Sequence, residues 1–296
     1  MKKRFLLVMI MVVAMVLLAA CGGANQTDSE GKLTDILGNQ LTVEKPYTKI
    51  ISLSPAATEI LYAIDADEVL LANTTFCNYP EDADKKPKIG DFSNPNIELI
   101  LEYEPDLVVT AAGVQEEILN KFKELNIEVF CLDAHNIDDV LKNIEMAGII
   151  TGKETEAATV VKKMNDSLDQ VAEKTAKINE KPTVFVEIWD EPLMTAGATS
   201  FTNDIIERAG GINIAADVDS EFPEYSKETL LEKDPDIYIL LGHDKQVNNV
   251  GKRAGFEVLQ AVKNERVFIA EDDLLTICGP RVVDGVEMLY NYFYGE

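Results

Sequence analysis

PNIELILEYEPDLVVT, residues 95–110, returns 130 positions later as YSKETLLEKDPDIYIL, residues 225–240. Five positions are identical: Glu98/Glu228, Leu101/Leu231, Glu102/Glu232, Pro105/Pro235 and Asp106/Asp236. Each copy reads as a short helix, a Pro-Asp break and an apolar strand. Proline ends the helix because its ring disfavours an α conformation in the residue before it. The run of apolar and β-branched residues that follows suits a strand covered on both faces, as in a parallel sheet. Helix-Pro-Asp-strand is also common α/β grammar, so the repeat alone leaves open whether it marks two related lobes.

Working outward, strands and helices alternate. Lys49–Leu53 reads as a strand, and Ser54-Pro55 as the start of a helix over 56–64, with serine as the cap and proline in the first turn. A strand at 69–72, a turn-rich loop at 74–91, a helix at 115–125, a strand at 127–132 and a helix at 137–150 follow, the last closed by Thr151-Gly152. A hairpin over 33–43 turns at Gly38-Asn39. The second half repeats the scheme: a strand at 183–188, a long turn at 189–201, a helix at 202–209 closed by Gly210-Gly211, a strand at 266–270 and a helix at 281–293. Val267-Phe268 echoes Val129-Phe130 at a spacing of 138. Two echoes in the same order favour two related lobes.

Between the halves, Val160, Met164, Leu168, Val171 and Ile178 form one apolar stripe on an otherwise polar segment. That pattern predicts an unbroken amphipathic helix over 154–178, a spine between lobes. The expected fold is therefore α/β: two Rossmann-like lobes with parallel-rich central sheets, joined by one long helix, with a ligand cleft between them. In such sheets ligands sit beyond the carboxyl ends of the strands. The boundaries read as 1–20 signal peptide, 21–32 flexible tether, 33–152 first lobe, 153–181 linker helix and 182–296 second lobe.

The leader is the sixteen-residue apolar run Phe5–Ala20 behind Lys2, Lys3 and Arg4, too short for a typical spanning helix. Leu18-Ala19-Ala20-Cys21 looks like a bacterial lipobox, which implies cleavage before Cys21 and lipid on its thiol. The exported chain then keeps 24 Lys and Arg against 52 Asp and Glu, a net charge of −28. That excludes the basic footprint of a nucleic-acid binder. It also repels anionic lipid, so the anchor has to hold the protein at the membrane. Cys77, Cys131 and Cys278 show no zinc-like spacing and read as small buried hydrophobes.

Catalytic motifs are missing. There is no GxGxxG, Walker loop, HExxH or GxSxG, and the two histidines, His135 and His243, make no metal cage. No nucleophile, base and oxyanion hole assemble, so binding is favoured over catalysis; no catalytic residue, cofactor or metal is expected. A secreted two-lobe enzyme is the alternative from a different class. Aromatics gather in the loops beyond strand ends: Phe76, Tyr79 and Phe92 in the first half, Trp189, Phe222 and Tyr225 in the second. Facing one another across a cleft, they would stack on a large, flat, partly apolar ligand.

KIISLSPAATEILYAI (49–64), FCNYPEDA (76–83), IGDFSNPNIELILEYEPDLVV (89–109), PLMTAG (192–197), AGGINIA (209–215) and GPRVVDGVEML (279–289) resemble the solute-binding proteins of ABC importers for cobalamin, ferric siderophores and haem. The resemblance implies an extracytoplasmic, lipid-anchored monomer. It would deliver a large ligand to a permease dimer with its ATPase subunits. The cobalamin binders are the nearest look. Their pocket aromatics fall on Phe76, Phe92 and Phe222, and their docking glutamates on Glu98 and Glu228. Tyr79, Trp189 and Asp273 complete the candidate ligand set. A further aromatic position of that pocket falls on Ala111. The mature chain has only four arginines: Arg208, Arg253, Arg266 and Arg281. Anionic siderophores and haem propionates call for cationic partners, whereas a near-neutral corrinoid needs stacking and hydrogen bonds. A corrinoid is therefore the expected ligand, with ferric siderophore second and haem third.

Overall fold

The computed structural model describes residues 32–114, 116–242 and 247–295. The leader, Cys21, nearly all of the tether, Gln115 and His243 lie outside them.

The first sheet has four parallel strands: β3 (Ile50–Ser52), β4 (Leu70–Asn73), β5 (Leu107–Thr110) and β6 (Val129–Cys131), in the order β4-β3-β5-β6. The hairpin β1 (Lys32–Thr34) and β2 (Gln40–Thr42) stands apart from it. Asp35 ties that hairpin to the sheet by accepting the backbone N–H of Cys131 at 2.7 Å. In the second sheet, β7 (Thr183–Asp190) pairs in parallel with β10 (Ile237–Leu241), and β10 with β11 (Val267–Ala270). The far edge of β7 is shared by β8 (Leu193–Thr195), antiparallel, and β9 (Ile212–Asn213), parallel. Counting β7, β9, β10 and β11 in chain order, both sheets run 2-1-3-4. The registers agree: Val108 faces Val129 in the first lobe, and Tyr238 faces Val267 in the second.

Both echoes of the sequence thus fall on equivalent strands, and each strand is covered on two sides. Leu107 and Val109 join one hydrophobic cluster, while Val108 turns to another. Ile237, Ile239 and Leu241 join that first cluster too, while Tyr238 and Leu240 face a core of the second lobe alone. One apolar body therefore runs from the inner face of one sheet to the inner face of the other.

The spine passes through that shared body. Helix α5 (Glu154–Thr175) spans 22 residues, about 33 Å. It ends three residues earlier than the stripe predicts. It buries Ala157, Met164 and Val171. It packs on α4 (Ile137–Thr151) and, across the lobe boundary, on α6 (Phe201–Arg208) and α8 (Val282–Tyr294). Between α4 and α5, Gly152 adopts φ +70°, and an added Cβ would meet Pro46 at 2.8 Å. Helix α1 (Pro55–Ala63) starts as its sequence predicts, with Ser54 Oγ accepting the N–H of Ala57. Helix α3 (Glu116–Glu124) precedes β6.

The repeat itself contains α2 (Ile97–Glu102) and α7 (Lys227–Lys233). Here the structure corrects a detail. The residues before Pro105 and Pro235 are not extended: Glu104, one residue past the cap Tyr103 of α2, has φ +46°, and Asp234, the cap of α7, has φ +39°. A second correction concerns the turn predicted at 189–201. Part of it, Leu193–Thr195, is strand β8, paired with β7.

Candidate ligand cleft and docking surface

The candidate ligand loops follow from the topology. Strands β3 and β5 lie side by side, but their connections leave in opposite directions, and β7 and β10 repeat this switch point in the other lobe. The carboxyl ends of the strands are where the chain opens a crevice. Phe76, Tyr79, Phe92 and Phe222 sit in these loops, while Trp189 is the next-to-last residue of β7, opposite Met194 of β8. Phe76 is 53 % exposed, Tyr79 47 %, Phe92 40 %, Trp189 57 % and Phe222 45 %. Among the described residues no other aromatic ring is exposed to this degree. The sixth aromatic, Tyr225, does not join them. It is buried, 5.4 Å from the ring of Phe185, and belongs to the core of the second lobe.

Each ring has a local scaffold. Phe76 and Phe92 touch at 5.8 Å between centroids, tilted by 54°. The Phe92 turn is fixed by Asp91, whose Oδ1 accepts the backbone N–H groups of Ser93 and Asn94 and the Ser93 hydroxyl. These bonds, led by that hydroxyl, hold the Asp91 carboxyl below its usual range. Gly90, at φ +97°, lets the same turn close, since a Cβ would lie 2.8 Å from Asn94 O. Trp189 leaves the end of β7 and donates its indole N–H to Glu191 O at 2.9 Å. Phe222 is held through its neighbour, as Pro223 O accepts the N–H of Thr195 in β8.

Two charged groups near these rings were not found by sequence reasoning. Glu59, on α1 of the first lobe, is only 4 % exposed. Burial raises its carboxyl, against the pull of a guanidinium from the other lobe. That guanidinium is Arg281: Nε and Nη2 grip the two Glu59 oxygens at 3.0 and 2.5 Å. The Arg281 guanidinium carbon also lies over the Tyr79 ring, 3.9 Å from its centroid, and Nη2 is 3.7 Å from the Asp273 carboxylate. Tyr79 and Arg281 share a crevice of about 430 Å³ with Met164 of the spine. The second group is Glu187 in β7. It is fully buried, receives the Tyr238 hydroxyl and is forked by Arg253, which reaches on to Asp190 at 3.8 Å. A lone charge in an apolar run was the available signal in both cases, AATEILYAI and TVFVEI. A buried charge demands a partner.

Glu98 and Glu228 occupy the first turns of α2 and α7. The caps are equivalent: Asn96 accepts the N–H of Leu99, and Ser226 that of Thr229, both at 3.0 Å. Both glutamates are exposed, and among the described residues neither has a side-chain hydrogen bond or ion pair. Ala111 follows β5, and Ala112 N–H is held by Asp133 at 2.9 Å. His135 is exposed in a crevice of about 480 Å³ with Ser200, Asn203 and Glu221. Among the described residues no cluster of His, Cys, Asp and Glu could hold a metal ion. The three described cysteines are free and buried. Burial pushes the thiols of Cys131 and Cys278 well up.

Of the five exposed candidate rings only Tyr79 lines either of these crevices; the two-lobed α/β architecture with its single spine helix is what known proteins can be set against. The chain belongs to the periplasmic binding protein family, whose model matches residues 50–274. It is 32 % identical to an uncharacterised ABC transporter substrate-binding lipoprotein, YvrC, of Bacillus subtilis, over all of this chain and 99 % of that one. A possible iron-binding (periplasmic solute-binding) protein from Staphylococcus epidermidis has the same fold. It superposes with a TM-score of 0.75 at 30 % identity, covering 84 % of this chain and 100 % of the other. The periplasmic vitamin B12 binding protein BtuF of Vibrio cholerae follows at 0.73 and 26 %, covering 84 % and 97 %. The chain is thus a class III solute-binding protein of the ABC importer family, not an enzyme. It works outside the cytoplasm at the membrane, binds a large solute and partners a permease complex.

Proposed function

We propose that this protein binds cobalamin or a related corrinoid between its lobes and delivers it to an ABC permease, anchored by lipid on Cys21. The observation that carries the ligand is the pairing of exposed rings with spent charges. Phe76, Tyr79, Phe92, Trp189 and Phe222 offer apolar faces. The two arginines beside the candidate loops, Arg253 and Arg281, are already engaged by Glu187 and Glu59. A near-neutral, amide-fringed macrocycle needs those faces and few cations. In this reading Phe76, Tyr79, Phe92, Trp189, Phe222 and Asp273 contact ligand, and Glu98 and Glu228 meet arginines of the two permease subunits. Residues 1–20 direct export, and 21–32 tether the lobes to the membrane.

A ferric siderophore is the second reading, favoured by the possible iron-binding description of the Staphylococcus epidermidis relative. Calorimetric titration separates the two. Saturable heat with cyanocobalamin, and none with ferric hydroxamates, is expected. The reverse pattern would replace the first reading with the second. Trp189, the only tryptophan, gives a parallel signal. Its fluorescence, corrected for ligand absorption, is expected to saturate with corrinoid.

A further inference from the structure

Arg281 touches both lobes at once. Its fork is fixed by Glu59 from α1 of the first lobe, its central carbon sits 3.9 Å from the centre of the Tyr79 ring of the same lobe, and its nitrogens lie near Asp273 and Glu271 of the second. The fit around it is close: a Cβ on Gly279 would stand 3.0 Å from Glu59 Oε2. Arg281 itself is only 14 % exposed in its side chain, whereas Tyr79 is 47 % exposed. A buried ion pair is a weak source of stability, because two well-packed apolar residues in its place are often as stable. What it does supply is a fixed direction. A guanidinium held by two bonds can present a flat cationic face in one orientation only. A ring stacked on that face loses its freedom before any ligand arrives.

We propose that Arg281 is a positioning residue: clamped by Glu59 across the lobe boundary, it sets the Tyr79 ring and the Asp273 carboxylate as preassembled walls of the ligand cleft. The proposal rests on the reading of that cleft as the ligand site. Lysine cannot replace Arg281, because an ammonium has neither the fork nor the flat face.

Hydrogen–deuterium exchange of the ligand-free protein tests the positioning without any ligand. In Arg281→Lys, exchange of the Thr74–Pro80 and Asp272–Thr276 segments is expected to rise about tenfold, with α5 unchanged. Equal protection of both segments in the variant overturns the proposal. A second test uses whichever of cyanocobalamin or a ferric hydroxamate the wild type binds, so a wrong ligand assignment does not affect it. Association is expected to slow more than dissociation quickens in Arg281→Lys. Because Tyr79 is exposed, Tyr79→Leu keeps the fold and completes a cycle. The losses from Arg281→Lys and Tyr79→Leu are expected to be strongly non-additive. Additive losses, or wild-type association in Arg281→Lys, overturn the proposal. Should Arg281→Lys fail to fold, Glu59→Gln replaces it in both measurements with the same expected and overturning results.

Discussion

Helices α2 and α7 are the same device built twice, and they differ in informative ways. Their shared residues divide into two kinds. Asp106 accepts the N–H groups of Thr48 and Lys49, and Asp236 accepts the backbone N–H and the hydroxyl of Thr183. Each aspartate ties the start of the central strand to its neighbour, so folding alone explains its presence in both copies. Glu98 and Glu228 have no such partner within the described chain. A favourable interaction with the helix N-terminus accounts for about 0.3–1 kcal/mol apiece, which many first-turn residues could supply. The surroundings differ as well. Where the first lobe has Ile97 and Tyr103, the second has Lys227 and Lys233. Lys227 donates to Ala254 O, and Lys233 is held by Asp217 at 2.9 Å and Ile214 O at 2.6 Å. Leu101 is 39 % exposed, whereas its counterpart Leu231 packs against the core of its own lobe. One glutamate knob stands on a helix that carries no cation beside its acidic residues; the other's helix carries two.

The largest effect is expected from removing both knobs. Glu98→Ala with Glu228→Ala should lower ligand uptake by whole cells about 100-fold, since two charge-assisted bonds are lost at roughly 1.5 kcal/mol each. Calorimetry should find ligand affinity unchanged. A double variant that no longer binds ligand would break the comparison, because the glutamates would then belong to the cleft.

Next come the ties. Asp106→Ala and Asp236→Ala should each cost about 1–2 kcal/mol, less than buried charged bonds because both sites are solvent-accessible. Thermal melts should show similar losses for the two. Unequal losses would mean that the lobes are less alike in energy than in geometry.

Smaller is the difference between single knobs. Glu98→Gln should reduce uptake several-fold and Glu228→Gln about twofold, because the second copy carries Lys227 and Lys233 where the first has Ile97 and Tyr103 and so presents a less negative face. Smallest is the reverse experiment. Lys227→Ile copies the first lobe into the second and should raise permease affinity by no more than about twofold. No change there would show that the ammonium, turned to Ala254 O, does not reach the partner.

The lobes were readable because their signals are local. A helix, a Pro-Asp break and an apolar strand lie within sixteen residues, and the copy preserves them. Four of the five exposed rings were readable as loop residues beyond strands, whereas Trp189 belongs to the end of β7 itself. Tyr225 was misplaced because it immediately precedes a helix cap, where sequence gives no periodicity to separate core from surface. Strand β8 was hidden by its three-residue length and by the Pro and Gly around it. The Glu59–Arg281 pair spans 222 positions. Its first half is visible as a charge in an apolar helix, but nothing local names the partner. Left-handed Glu104 and Asp234 were missed because a residue before proline is ordinarily extended.

The chain crosses from one lobe to the other only once, through α5, and then closes on itself with Arg281. A polypeptide emerging from its amino terminus completes the first sheet at Cys131 and its helix at Thr151, with almost half its length still to come. Glu59 is paired by a countercharge that lies 222 positions further along the chain. The joint between the halves therefore joins residues from distant parts of the chain and can close only once both lobes' contributions are present.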